Sequence, residues 1–101
     1  MTKLYDFSKV DNDLLKKAFN SIGIEVDILI ATTSGLIYGY IFTHKEYNFY
    51  TEIFENGSIV MNDTKVDKFE RFIEFISMCV NLFKTIYNAC LKMSEVKQNE
   101  S

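Results

Sequence analysis

Proline, tryptophan, histidine and cysteine are scarce or absent in this sequence. Its 101 residues include no proline, no tryptophan, one histidine and two cysteines. A single histidine excludes a metal site built on a pair of imidazoles. Cys79 and Cys90 fall in one predicted helix, where their spacing corresponds to about 16 Å along the axis, so they can share neither a disulfide nor a metal ion. We expect two buried thiols, with an intermolecular disulfide as the alternative, and neither a metal nor a cofactor.

Acidic residues outnumber basic ones, 14 to 11. The formal net charge is −3 and the pI is about 5.1, and the lysines are interleaved with acids instead of forming the basic stripe that binds phosphate backbones. No apolar run reaches the ~18 residues of a membrane span, and the first residues lack the pattern of a secretion signal. We expect a soluble, cytoplasmic protein without membrane contact, and nucleic acid is disfavoured as a partner.

No catalytic motif is present in the sequence. The glycines of Ser34-Gly35 and Asn56-Gly57 stand between predicted strands instead of opening a helix, so they do not form a phosphate-binding loop. The serines and threonines have no partnered base, and Glu52 and Glu55 fall on opposite sides of one predicted strand. We therefore expect a protein that is not an enzyme.

The composition that remains is typical of a folded domain. Hydrophobic residues make up 48% of the chain and charged residues 25%, which excludes disorder except in a polar tail. We expect one domain at residues 1–93 and a disordered C-terminal tail at residues 94–101. Lysine, asparagine, isoleucine, phenylalanine and tyrosine are abundant, and their AT-rich codons suggest a low-GC bacterium, one of its phages or plasmids, or a comparable archaeal system.

Hydrophobic spacing predicts a helix followed by four strands. Apolar residues recur at helical spacing in segment 12–22, after an acidic start that suits a helix N-terminus and before Gly23, which suits its end. Alternating and β-branched residues then predict strands at residues 24–32, 36–43, 47–55 and 58–62. Gly39 marks a β-bulge or a place where an aromatic ring covers the backbone. Asn56-Gly57 predicts a two-residue hairpin turn with positive φ at both positions.

A long helix is predicted at residues 67–93, with Asp63 and Thr64 at its cap. The expected fold is therefore α+β: a helix, a four-stranded antiparallel β-meander and a long C-terminal helix. The long helix carries two neighbouring apolar stripes, about twice the width that packing on one sheet uses. At about 40 Å it also overruns strands of about 25 Å. We therefore expect a homodimer, whose interface contains Phe75, Met78, Leu82, Phe83, Ile86 and Cys90.

The aromatic residues of the middle strands predict a second exposed surface. The sequence leaves open which face of the sheet the helices cover. If Ile37 and Ile41 point toward the helices, simple alternation places the neighbouring aromatic rings on the opposite side. The expected partner-binding residues on that side are Tyr38, Tyr40, Phe42 and Tyr50.

The sequence thus favours a small acidic module that binds another protein. Our first interpretation is a non-enzymatic homodimer that acts as an accessory or inhibitor protein, encoded by a phage or plasmid, with an unidentified protein partner. A second interpretation is a nucleic-acid-binding regulator whose exposed rings stack on bases. A third is a small-ligand-binding fold with a pocket between the long helix and the sheet.

Overall fold

The computed structural model describes residues 3–47, 49–61 and 69–99, and it has the expected α+β architecture. Each strand pairs antiparallel with the next, so the sheet has the order β1-β2-β3-β4 of a meander. A short 3₁₀ helix, Phe7–Lys9, precedes the larger elements. These are α1 at Asn12–Asn20, β1 at Ile24–Ile30, β2 at Ile37–His44, β3 at Tyr50–Phe54, β4 at Ile59–Met61 and α2 at Phe69–Asn99.

The first helix begins at Asn12, as its sequence predicts, and ends at Asn20, two residues before the predicted end. The carboxylate of Asp11 accepts hydrogen bonds from the backbone N–H groups of Asp13 and Leu14, which have no partner within the helix. Gly23 follows with φ of +84°, in the left-handed region that suits a residue ending a helix. Leu15 and Phe19 are fully buried, so α1 packs through this side on the sheet beside β1.

A β-bulge interrupts the pairing of β1 with β2. Leu29 pairs with Gly39 and Ile30 pairs with Ile37, so Tyr38 is an extra residue on β2. Phe54 is the partner of Gly39 on β3. A Cβ on Gly39 would lie 3.0 Å from Cδ1 of Phe54 and 3.1 Å from Cδ1 of Leu29. Both expectations for Gly39, a bulge and an aromatic ring over the backbone, are therefore confirmed.

Replacing Gly39 with valine should destabilise the protein by about 1–3 kcal/mol, the usual cost of overpacking. The added methyl groups would have to displace the Phe54 ring and the Leu29 side chain. Thr43→Val is a matched control, because it introduces the same residue into the same strand at a half-buried position. Urea unfolding of the two variants measures the difference, and equal stabilities would contradict the close packing at Gly39.

The β3–β4 hairpin differs from the predicted two-residue turn. The N–H of Gly57 donates to the carbonyl of Phe54, and the N–H of Phe54 donates to the carbonyl of Ser58. These bonds enclose a three-residue loop, with Gly57 at φ of +87°. The loop is therefore a turn followed by a left-handed residue, the next most common hairpin connection after the two-residue turns. The Asn-Gly pair therefore predicted the position of the hairpin correctly, but the loop has three residues where two were predicted.

The core lies between one face of the sheet and the two helices. Its centre is a cluster of six aromatic rings in mutual contact, here called the aromatic cluster: Tyr5, Phe7, Tyr40, Phe42, Phe83 and Tyr87. The ring of Phe83 lies 5.1 Å from that of Tyr5 and 5.6 Å from that of Tyr40, so α2 meets both the N-terminus and the sheet at this residue. Offset and edge-to-face ring pairs of this kind add to the stabilisation from burial.

The N-terminal segment, residues 3–10, covers the part of α2 that the sequence left without a partner. Tyr5, Phe7 and Val10 are buried in the same core as Phe83 and Tyr87. The N–H of Asp6 donates to the hydroxyl of Tyr87 at 2.7 Å. At the other side of the segment, the N–H groups of Leu4 and Tyr5 donate to the carbonyl of Glu55. Hydrogen bonds to both the helix and the β3–β4 loop therefore fix this segment.

The long helix ends later than predicted. It reaches Asn99, whereas the expected end was Met93, with a disordered tail from Ser94 onward. The residues beyond Met93 include Glu95, Lys97 and Gln98, which are good helix formers, and no glycine or proline follows to end the helix. The expected cap at Asp63 and Thr64 lies outside the described residues.

Candidate interaction face

The side of the sheet that faces away from the helices carries the most coherent exposed surface of the described residues. Cross-strand partners share a face of the sheet, so the register assigns its members. This surface, here called the open face, contains Glu25, Asp27, Leu29, Tyr38, Ile41, Thr43, Tyr50, Glu52, Phe54 and Val60. All of these side chains are exposed or half-buried, whereas the strand residues in the core belong to the other face.

One half of the open face is acidic. Asp27 and Glu52 both pair with Ile41, from β1 and β3 respectively, so the two carboxylates stand on either side of that side chain, about 10 Å apart across the strands. Glu25 lies two residues before Asp27 on the same face. Among the described residues the ion pair is Lys3 with Glu55, at 3.5 Å, so these three acids have no cation beside them in the described part of the chain.

The other half of the open face is apolar. The ring of Tyr38 stacks on that of Phe54 with centroids 6.4 Å apart and planes within 6° of parallel. Leu29 lies beside them against Gly39, and Val60 extends the surface on β4. A face with apolar side chains next to unpaired carboxylates is suited to a partner that offers both apolar and basic groups.

The structure separates the four expected partner-binding residues into two pairs. Tyr38 and Tyr50 are on the open face, with 41% and 36% of their surface exposed. Tyr40 and Phe42 are fully buried in the core, so the expectation that all four form one exposed ridge is wrong. The hydroxyl of Tyr40 donates to Oδ1 of Asn12 at 2.8 Å, and burial raises the pKa of this phenol well above its usual value.

The β-bulge explains this error. Ile37 does point toward the core, as assumed. Because Tyr38 is an extra residue, both it and Gly39 lie on the open side, and the alternation resumes one position later. Tyr40 and Phe42 therefore turn inward, and Ile41 turns outward between Asp27 and Glu52. The sequence indicated a bulge at Gly39. The open-face residues of β2 would have been found if the alternation of inward and outward side chains had been shifted by one residue at that point.

Most of the expected dimer interface is buried within the chain itself. Phe75, Phe83, Ile86 and Cys90 belong to the core, because the sheet and the N-terminal segment cover that side of α2. Met78 is 39% exposed and Leu82 is half-buried. These two residues are what the structure leaves of that interface on the surface.

A groove lies between the β2–β3 connection and α2. Its volume is about 310 Å³, and its lining includes His44, Tyr47, Phe49, Arg71, Phe75 and Met78. Nδ1 of His44 accepts hydrogen bonds from the N–H groups of Glu46 and Tyr47, so the imidazole fixes the connection. The guanidinium of Arg71 lies 5.3 Å from the centre of the Tyr47 ring and donates to its hydroxyl. The groove therefore has an apolar floor, and its lining includes one cationic and one anionic side chain, those of Arg71 and Glu74.

Other site types find no support in the described part of the chain. These residues hold no group of three or more His, Cys, Asp or Glu side chains placed around one metal position. None of the helices in the described ranges combines the length and apolar content that crossing a membrane requires. Comparison with protein-family models, with curated proteins and with solved structures finds no match for this chain.

Proposed function

We propose that this protein is a non-enzymatic interaction module that binds another protein through the open face, as an accessory or inhibitor protein does. The observation that carries the proposal is the acidic half of the face, where Asp27 and Glu52 flank the outward-pointing Ile41 and form no ion pair with a described residue. The stacked rings of Tyr38 and Phe54 add an apolar anchor next to these charges. Partners that bury such a face must supply positive charge, because a buried carboxylate without a counter-charge is costly.

A basic partner fits this face better than a second copy of the same face. Two open faces in contact would bring the carboxylates of Glu25, Asp27 and Glu52 close to their own counterparts, which is unfavourable. A surface that presents lysine or arginine around apolar side chains would pair with the acids and cover Tyr38, Phe54 and Val60. This complementarity would set the orientation of the complex and speed its formation at low ionic strength.

Reversing the charge of the acidic half should abolish tight binding. We expect Asp27→Lys combined with Glu52→Lys to weaken binding by about 2 kcal/mol or more, at least thirtyfold, since two favourable ion pairs become repulsive. The partner is first recovered on immobilised protein from the lysate of a low-GC bacterium and then purified for titration. Glu70→Lys combined with Glu95→Lys makes the same change of net charge at exposed positions of α2 and should leave affinity within threefold. Equal loss in both variants would contradict a role for the open face.

Two other functions have specific support and serve as alternatives. Tyr38 and Phe54 are exposed enough for bases to stack on them, which favours nucleic-acid binding, but the acids beside them would repel phosphates. The groove beside Arg71 has the size of a small-molecule site, which favours ligand binding. A purified partner that proves to be an oligonucleotide or a metabolite would replace our proposal with one of these.

The expected homodimer stays a prediction. The large apolar side chains of α2 that are exposed or half-buried among the described residues are Ile73, Met78, Val80, Leu82, Leu91 and Met93. Helical spacing places Met78, Leu82 and Met93 in one narrow stripe and the other three in a second. The sequence places the dimer there because the helix carries two apolar stripes and overruns the sheet. The N-terminal segment covers part of that surface within the same chain.

A further inference from the structure

The strand β1 forms one edge of the sheet, and no described residue bonds to its backbone groups on the outer side. It pairs with β2 alone. The N–H of Lys45 donates to the carbonyl of Gly23. This bond shows that Ile24 and His44 form a non-hydrogen-bonded pair of the antiparallel ladder. Because such pairs alternate along an antiparallel ladder, the N–H and C=O groups of Val26 and Ile28 also point away from β2.

Apolar side chains surround this edge. Ile30 is 55% exposed at the end of β1, and Ile22 and Leu14 are 45% and 39% exposed on or just after α1, which packs beside β1. Sheets commonly protect an edge strand with charged side chains, above all lysine, or with proline, a bulge or a covering element. The seven residues of β1 include the acids Glu25 and Asp27 but no lysine and no proline, and the extra residue at the bulge belongs to β2. An edge of this kind is a template for another strand.

We propose that β1 pairs antiparallel with β1 of a second copy of this chain, joining the two sheets into one continuous sheet of eight strands. The occupant is a second copy because a two-fold axis at this edge places α1 of each copy beside the other on the same face of the sheet. That arrangement covers Leu14 and Ile22 as well as the strand, which a single extended peptide would not do. The open faces of the two copies would form one surface, whatever molecule binds there.

The acids on β1 select the register of this pairing. A register is centred on the residue that pairs with its own copy in the second chain. Only centres at Val26, Asp27 or Ile28 keep five or more residues of the strand paired. A centre at Asp27 puts the Asp27 carboxylates of the two copies opposite each other. A centre at Val26 puts Asp27 of one copy opposite Glu25 of the other. Both registers are unfavourable, because each places like charges in a cross-strand pair. A centre at Ile28 puts Asp27 opposite Leu29 and no acid opposite another. It also brings the exposed Ile30 against Val26 of the second copy.

Disulfide trapping tests both the dimer and its register. With the centre at Ile28, positions 27 and 29 of opposite copies form a non-hydrogen-bonded pair, where side chains are close enough for a disulfide. The variant carrying Asp27→Cys and Leu29→Cys should therefore give more than half of its chains as covalent dimer under mild oxidation. Leu29→Cys alone, which retains Asp27, should give little, and so should Glu52→Cys, a control on the same face of a central strand.

The native cysteines do not interfere with this test. Cys79 and Cys90 are both buried and free, and burial raises the pKa of the Cys79 thiol to about 12, so little reactive thiolate forms at neutral pH. Positions 27 and 29 lie outside the core, and circular dichroism confirms folding of each variant. A folded double variant that does not cross-link, or wild-type protein with a light-scattering mass near the 11.8 kDa of one chain, overturns the dimer. Glu25→Cys combined with Leu29→Cys retains Asp27, and its cysteines face each other only in the register centred on Asp27; efficient cross-linking of this variant overturns the register centred on Ile28.

Discussion

Replacing Phe83 with alanine should destabilise the protein by about 3–5 kcal/mol, the range measured for large buried aromatic residues. Phe83 is fully buried, and its ring contacts those of Tyr5, Phe7, Tyr40 and Phe42. Its removal leaves a cavity at the point where α2, the sheet and the N-terminal segment meet. Small domains have a total stability of about 5–15 kcal/mol, so this variant should be partly unfolded at 37 °C.

Tyr38→Ala is the matched control for Phe83→Ala. It also truncates an aromatic ring, but on the exposed open face, where we expect a loss of about 1 kcal/mol or less from the stacked pair with Phe54. Urea denaturation followed by circular dichroism measures both variants. A loss at Phe83 no larger than the loss at Tyr38 would show that the aromatic cluster is not the centre of the core.

Removing the rings of the N-terminal segment should uncover α2. We expect Tyr5→Ser combined with Phe7→Ser to destabilise the protein by at least about 4 kcal/mol. The two losses will not add fully, because the rings stack on each other at 5.9 Å. The variant should also self-associate as its concentration rises, since the exposed side of α2 around Tyr87 is then the apolar surface that the sequence led us to expect.

Thiol labelling detects the same uncovering directly. The N–H of Asp11 donates to Sγ of Cys90, so movement of the N-terminal segment should make this cysteine reactive in conditions where the native protein is inert. Leu4→Ser alters an exposed residue of the same segment that lies beside Gly57; it should leave the labelling rate unchanged and cost no more than about 1 kcal/mol of stability. An unchanged labelling rate in the Tyr5 and Phe7 variant would mean that another part of the chain covers α2.

The elements were predictable from the sequence because each carries a local signal. Periodicity gave the helix, the four strands and the long helix in the right order, and Asp11 and Gly23 marked the ends of α1. The sequence did not predict which side chains of β2 point toward the core, because this depends on one extra residue, Tyr38. A β-bulge at Tyr38 reverses the direction of every side chain that follows, and strict alternation cannot anticipate this.

The cover of α2 was missed for a different reason. The N-terminal segment contributes three apolar residues, Tyr5, Phe7 and Val10, in a stretch too short and irregular for a periodic signal. Its position depends on contacts with residues near the other end of the chain, such as the hydrogen bond between Asp6 and Tyr87. Long-range contacts of this kind are set by tertiary packing. A count of apolar residues before the first helix would have been the only hint.

Site-specific photo-cross-linking tests most directly whether the open face meets the partner. A p-benzoylphenylalanine in place of Tyr50 keeps an aromatic ring at a position that is 36% exposed on β3, and the same residue in place of Thr85 reports on the exposed side of α2. Irradiation in the lysate of a low-GC bacterium should join the Tyr50 variant to a basic protein, and the Thr85 variant should form no such adduct. Adducts from position 85 alone, or from neither position, would contradict binding through the open face.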